Sequence, residues 1–441
     1  MTRKFFLITN LFLIVVLLFP SQIVAAANRN FTINRISKGL DGSQLNIGSF
    51  QPVISSDGRF VVYSSNKLYL YDQKTGKTEL VSVTSDGSPA NGDVDNPTIS
   101  SDGRYVAFRS NSTNIAGDLP GQVYLRDRKN GKTVLVSTPT DGSKPDSDSS
   151  APSISGTGRY IAFVSFDTNL VKGDNNGLPD IFVKDMQQNK IYLASVSTSG
   201  KIGDSDSGVF GGPSISSDGR YVAFQSYATN LVQGDTNNAS DIFVRDLKTG
   251  KTERVSVASN GKQGNDASDS PAISANGRYV AFWSMATNLV HGDTNGLPDV
   301  FVHDRLTGKT ERVSVASNGN QATGVYLFQE TYNRVDLSSD GRYVTFSYEG
   351  NNLAPGISKN TCDNNGDGTK ESPCANIFVH DRVTGKTTLI SVSTKNTAAN
   401  NNSSYPSISS SGQWIAFQSD ATNMITGDTN GQPDIYLYHR H

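Results

Sequence analysis

After the segment "FFLITNLFLIVVLLF" near its start, this chain has no further long apolar run. That excludes a second helical membrane span, which needs about 20 residues. Leu-rich helical stretches are also missing from there on, while Gly, Ser, Asn, Asp and Thr are abundant. An all-β, turn-dense protein follows. No sign of charge dominates: 41 acids face 39 Lys plus Arg. General nucleic-acid binders and anionic-membrane binders carry a clear basic excess, so neither partner is expected. Hydrolase signatures are missing too: no G-x-S-x-G, no H-E-x-x-H and no phosphate loop. Histidine is sparse, at His291, His303, His380, His439 and His441. His303 and His380 stand where sister repeats have Arg245 and Lys184, which argues against a shared catalytic role and for a solvated strand position.

What is there begins with an export pattern. Arg3 and Lys4 precede the apolar run, and the small-residue exit "PSQIVAAA" follows it. This order describes a secretory signal peptide over residues 1–27, cleaved after Ala27. The expected mature chain, 28–441, is secreted or periplasmic, with no stable span left after cleavage. In that compartment Cys362 and Cys374 are expected to form a disulfide.

The mature chain repeats itself. "QPVISSDGRFVVYSS" returns as "NPTISSDGRYVAFRS", "APSISGTGRYIAFVS", "GPSISSDGRYVAFQS", "SPAISANGRYVAFWS", "RVDLSSDGRYVTFSY" and "YPSISSSGQWIAFQS". A "DIFVRD" segment follows each copy, and a "KTERVSV" segment follows six of them. Alternation rich in Val, Ile, Phe, Tyr and Thr makes each piece a strand. Asp-Gly and Thr-Gly-Lys links make tight hairpins. Four strands, here a to d, form one sheet per repeat, and a ring of such sheets is a propeller. The copies predict seven blades, with six or eight as alternatives. The last copy ends without strand d, whereas "NFTINRISKGLDGSQLN" near the start matches the d segments. Residues 28–46 are therefore expected to supply the outer strand of the last blade and remove the open edge.

"PSISSDGRYVAF" resembles the WD40-like repeat of TolB-type propellers, over nearly the whole mature chain. That resemblance implies a periplasmic partner-binding protein, six blades as the usual number, and a separate domain ahead of the propeller. This chain departs in its seven copies and in having only a short segment before the first blade.

In such a meander the a–b and c–d turns share one face and the b–c and d–a loops share the other. The first pair is uniform and the second is long and varied, so function is expected on the b–c/d–a face. Acids concentrate there: Asp93, Asp95, Asp146, Asp148, Asp204, Asp206, Asp266 and Asp269, with Asp174, Asp235, Asp293 and Asp428. Arg59, Arg104, Arg159, Arg220, Arg278 and Arg342 mark the opposite face, with Lys77, Lys251 and Lys309. Solvated turns account for the same pattern.

The b–c loops repeat "GDTNGLPD"-type stretches, in which Asp293, Asn295 and Asp299 suit either a metal or a turn held by Asn-Gly and Asp. In blade 6 the loop is "CDNNGDGTKESPC". Asp363, Asn365, Asp367 and Glu371 fall at positions 1, 3, 5 and 9, with a carbonyl from Thr369. The series resembles the calcium loops of integrin-type propellers and the first part of an EF-hand, so calcium is expected here. The alternative is a polar loop closed only by the cysteines. Just before blade 6, Tyr326, Phe328 and Tyr332 are candidates for ligand contact or for a local plug.

These observations predict an exported, monomeric, non-enzymatic binding or scaffold protein that takes a protein or carbohydrate partner on its acidic loop face. The alternative is a glycosidase- or lyase-type enzyme on polysaccharide or peptide, with carboxylates at the ring axis.

Overall fold

The computed structural model describes residues 31–117, 119–324, 334–355, 357, 361–362, 370 and 372–441. Among the described residues every regular element is a strand, and the strands form seven four-stranded antiparallel sheets and one two-stranded ribbon, Thr361–Cys362 with Ser372–Pro373. The protein is a seven-bladed propeller. In blade 5, strands a to d are Ser268–Ile273, Tyr279–Ser284, Asp299–Asp304 and Lys309–Arg312. Blade 3 places them at Ser149–Ile154, Tyr160–Ser165, Asp180–Asp185 and Lys190–Leu193. Blade 7 has Ser403–Ile408, Trp414–Ser419 and Asp434–Arg440, and its fourth strand is Phe31–Arg35. That strand pairs from Phe31↔Arg440 to Arg35↔Tyr436, so the ring closes through the N-terminal strand as the repeat pattern requires.

Strands b and c lie between neighbouring blades, which explains their nearly continuous apolar runs. Directly opposed rings fill the layer in each sheet: Phe282 meets Phe301 at 6.0 Å and Phe224 meets Phe243 at 5.9 Å. Aromatic pairs across adjacent strands add to plain burial.

The recurring "SDGRY"-type turn, in which only the glycine is common to all seven copies, joins one blade to the next. Gly277 has φ +72°, and a Cβ there would lie 2.2 Å from the Tyr221 ring of blade 4. Gly58 makes the same approach to Trp414 at the seam. Arg278 binds Asp304 through two parallel bonds of 2.8 and 2.7 Å, while Arg305 stacks over Tyr221 at 4.3 Å. Equivalent two-point pairs join Arg59 to Asp72, Arg104 to Asp127, Arg159 to Asp185, Arg220 to Asp246 and Arg342 to Asp381. In blade 7, Gln413 replaces the arginine, and Trp414 stacks on His439 at 3.8 Å.

Two expectations change. The six arginines do not make the a–b/c–d face a basic surface, because each is neutralised by the aspartate ending strand c. His303 and His380 are not solvated: each is 6% exposed, with Nδ1 on Thr310 at 2.8 Å and on Thr387 at 2.9 Å. That strand position is covered by strand d. Burial accordingly holds both imidazoles below their usual pKa.

Candidate ligand-binding site at the axial channel

The innermost strands build the channel wall. X-Pro lies within strand a of five blades, at Gln51-Pro52, Asn96-Pro97, Ala151-Pro152, Ser270-Pro271 and Tyr405-Pro406, and just before it in blade 4, at Gly212-Pro213. Blade 6 has Arg334-Val335 instead. Proline has no N–H for the ladder, and the a–b register slips there, as between Asp95 and Thr98. Residue X takes a left-handed φ: 52° at Gln51, 50° at Asn96, 47° at Ala151, 50° at Ser270 and 51° at Tyr405. Such backbone costs roughly 1–2 kcal/mol per non-glycine residue, and strain of this kind gathers at functional sites. The proline after X recurs in six blades, yet X differs in every blade.

Gln51, Asn96, Ala151, Arg334 and Tyr405 line an axial cavity of about 210 Å³, together with Asp336 and the prolines. The Asn96 N–H donates to Gln51 Oε1 at 2.9 Å. Arg334 donates Nη1 to the Gly211 carbonyl at 3.1 Å and lies over the Tyr405 ring at 5.3 Å, linking blades 4, 6 and 7. The backbone comes close at Gly211, where a Cβ would sit 2.5 Å from the Ser270 Cα.

Asp336 occupies a position that is serine in blades 3, 4 and 7. Those serines accept an N–H from the next blade, as Ser407 does from Ile54 at 3.2 Å. Asp336 does the same for Ile408 at 2.9 Å and also accepts from Ser407 Oγ at 3.2 Å. Burial outweighs these bonds and raises its pKa to about 6. It is the one carboxylate among the described residues lining this cavity.

The channel mouth on the b–c/d–a face is two-sided. Asp95 pairs with Arg109 at 3.2 Å, and Asp148 lies 4.0 Å from the same guanidinium. These three border a second hollow of about 330 Å³ with Asn96 and Phe166. On blades 3, 4 and 5 the residue following strand b is Phe166, Tyr227 and Met285, exposed by 47%, 37% and 40%. Phe210 meets the Tyr227 ring edge-on at 6.3 Å. Blade 2 has Asn111 there and blade 7 has Asp420, whose burial raises its pKa to about 6.

The repeated b–c loops close on arginine. In blade 5, Arg312 Nη1 lies 3.0 Å from Asp293 and 2.9 Å from Asp299. Blade 4 holds Arg254 between Asp235 at 3.4 Å and Asp241 at 3.2 Å. Blade 7 holds Arg35 between Asp428 at 3.7 Å and Asp434 at 3.5 Å. In these blades the metal expectation gives way to a guanidinium, and the acidic face is correspondingly less acidic. The signal was present in sequence, because "KTER" or "NFTINR" accompanies each such loop. The varied X of X-Pro likewise marked the channel ring.

Cys362 and Cys374 are joined in a disulfide and buried. Asp363, Asn365, Asp367, Thr369 and Glu371 lie outside the described residues, as do Tyr326, Phe328, Tyr332 and the signal segment 1–27. Among the described residues no helix is long and apolar enough to cross a membrane.

No protein family matches the chain, and no curated relative matches it. Solved structures of similar fold are numerous. Oligogalacturonate lyase from Vibrio parahaemolyticus aligns over 92% of this chain and 93% of its own, with TM-score 0.52 and 12% identity. TolB from Acinetobacter baumannii aligns over 88% and 79%, with TM-score 0.39 and 16% identity. The Cps50 (Swd1) β-propeller domain of Myceliophteria thermophila aligns over 92% and 99%, with TM-score 0.47 and 12% identity. At these identities the likeness is one of fold.

Proposed function

We propose that this propeller is an exported, non-enzymatic binding protein that holds a carbohydrate over the mouth of its axial channel. One observation carries the proposal: Phe166, Tyr227 and Met285 stand exposed at equivalent positions of three consecutive blades, and Phe166 borders the hollow that holds Asp95, Arg109 and Asp148. Apolar faces next to a few fixed polar groups suit a sugar, whose ring face stacks while its hydroxyls bond. On the opposite face the six turn arginines are taken up in two-point pairs with the strand c aspartates of their own blades. Export is supported by the N-terminal pattern and the disulfide. We also propose calcium in the loop that Cys362 and Cys374 close, on Asp363, Asn365, Asp367, Thr369 and Glu371, with weak affinity on the order of 10⁻⁴ M.

The enzyme alternative draws on the oligogalacturonate lyase likeness and on two cations, Arg109 at the mouth and Arg334 in the channel, that suit a uronate. A glycosidase needs two carboxylates roughly 5–10 Å apart; the described channel lining holds Asp336, while Asp95 and Asp148 border the hollow at the mouth.

Calorimetric titration with neutral and uronic oligosaccharides tests the proposal, followed by ultraviolet and mass analysis of the recovered sugar. Binding without turnover, lost in the Phe166→Ala/Tyr227→Ala double variant, is expected. Appearance of an unsaturated product would turn the assignment to lyase. No binding of any sugar would move the partner to protein, to be sought by pull-down from the exported fraction with and without calcium.

A further inference from the structure

Three b–c loops close on an arginine of their own blade, and a fourth keeps the acids without it. Strand d residues facing Phe243, Phe301 and Tyr436 are Arg254, Arg312 and Arg35. The residue facing Phe182 in blade 3 is Leu193. A second donor is lost as well. Gln263 donates to Asp235 at 2.8 Å and to Asp241 at 2.9 Å, and Gln44 serves Asp428 and Asp434 in blade 7. At that bridge position blade 3 has Ile202. Asp180 keeps its bonds from Ser195 Oγ and from Asn176 Nδ2. Asp174 does not fare so well. It is 7% exposed, and its buried Oδ1 has no hydrogen-bond partner. Burial first, and then the charge of Asp180, lift its pKa to about 6.

We infer that the blade 3 loop is a site for a hard divalent cation of the calcium class, held by Asp174 and Asp180 where sister blades hold arginine. The chain itself shows what this pair accepts: one buried cation between two carboxylates. A doubly charged ion matches two carboxylates better than a guanidinium does, and the donors are all oxygen, which favours calcium over zinc or copper. Leu193 and Ile202 occupy the paths that the arginine stem and the glutamine take elsewhere, so the slot suits an ion with its waters more than a partner's side chain. With two carboxylates and no complete protein cage, affinity falls in the weak extracellular range, about 10⁻⁴ to 10⁻³ M.

The test is independent of the blade 6 loop and of any sugar. Thermal unfolding is followed with and without millimolar calcium in an Asp367→Ala background. Calcium is expected to raise Tm by a few degrees there. Leu193→Arg, which installs the sister-blade occupant, should abolish that rise and leave the calcium-free Tm at or above that of the background. Asp174→Asn should abolish it too. An equal calcium response in all three proteins, or none in the background, would overturn the site. Stabilisation by methylguanidine but not by calcium would give the slot to a partner's arginine and overturn the metal assignment.

Discussion

Blades 5 and 3 present almost the same b–c loop, "GDTNGLPD" and "GDNNGLPD". In blade 5 the two aspartates are neutralised by Arg312 from the outer strand. In blade 3 that residue is Leu193, and Asp174 is left with an unpartnered oxygen. The difference teaches that a loop's chemistry here is decided by a residue some 15 positions downstream, brought opposite by strand pairing. The same lesson holds for the two faces. Arginines that look free in sequence are spent against aspartates 13 to 39 residues away, whereas the exposed Phe166, Tyr227 and Met285 have no such assignment.

The comparison breaks most severely if blade 7 loses its clamp and its outer strand together. Deleting residues 31–46 removes the strand paired with Asp434–Arg440, takes Arg35 from Asp428 and Asp434, and opens a sheet edge. The expected result is loss of cooperative folding and aggregation, read by circular dichroism and light scattering. Next, Arg312→Leu makes blade 5 a copy of blade 3. Stranding two buried carboxylates should cost about 3–5 kcal/mol in denaturant unfolding.

A smaller effect lies in the pH profile. Asp174, Asp336 and Asp420 have folded pKa values of about 6, raised from 3.8. The folded state therefore holds more protons than the unfolded one between these values, so stability should rise as pH falls from 7 towards 5. Asp72 works the other way, lowered to about 2 chiefly by Arg59, so what it contributes above pH 4 is lost as pH falls towards 2. Maximal Tm is expected between about pH 4 and 6. The gain from pH 7 to 5 should shrink in Leu193→Arg, where a guanidinium favours the charged Asp174. The smallest effect sharpens the contrast of faces: Phe166→Ser and Tyr227→Ala should each cost only about 1 kcal/mol of stability, Tyr227 losing its edge-on contact with Phe210, while weakening carbohydrate binding.

Local pattern alone determined a good deal. Period-two alternation, Asp-Gly hairpins and seven copies made the blades legible, and the missing strand d after the "DIYLYHRH" end made the closure legible. Two cysteines in a chain with an export pattern at its start made the disulfide legible. These depend on interactions between near neighbours or on counting. What only the tertiary structure decided depends on which residues the ring brings face to face. His303 and His380 read as solvated until strand d covered them. The "GDTNGLPD" aspartates read as metal ligands or turn residues until Arg312 arrived across the sheet. That Gln51, Asn96, Ala151 and Tyr405 line the axial cavity at positive φ is set by the bulge at the X-Pro step. A charge's partner and a strand residue's direction are set by long-range pairing and by the slip of one register. Neither is written in the few residues around it.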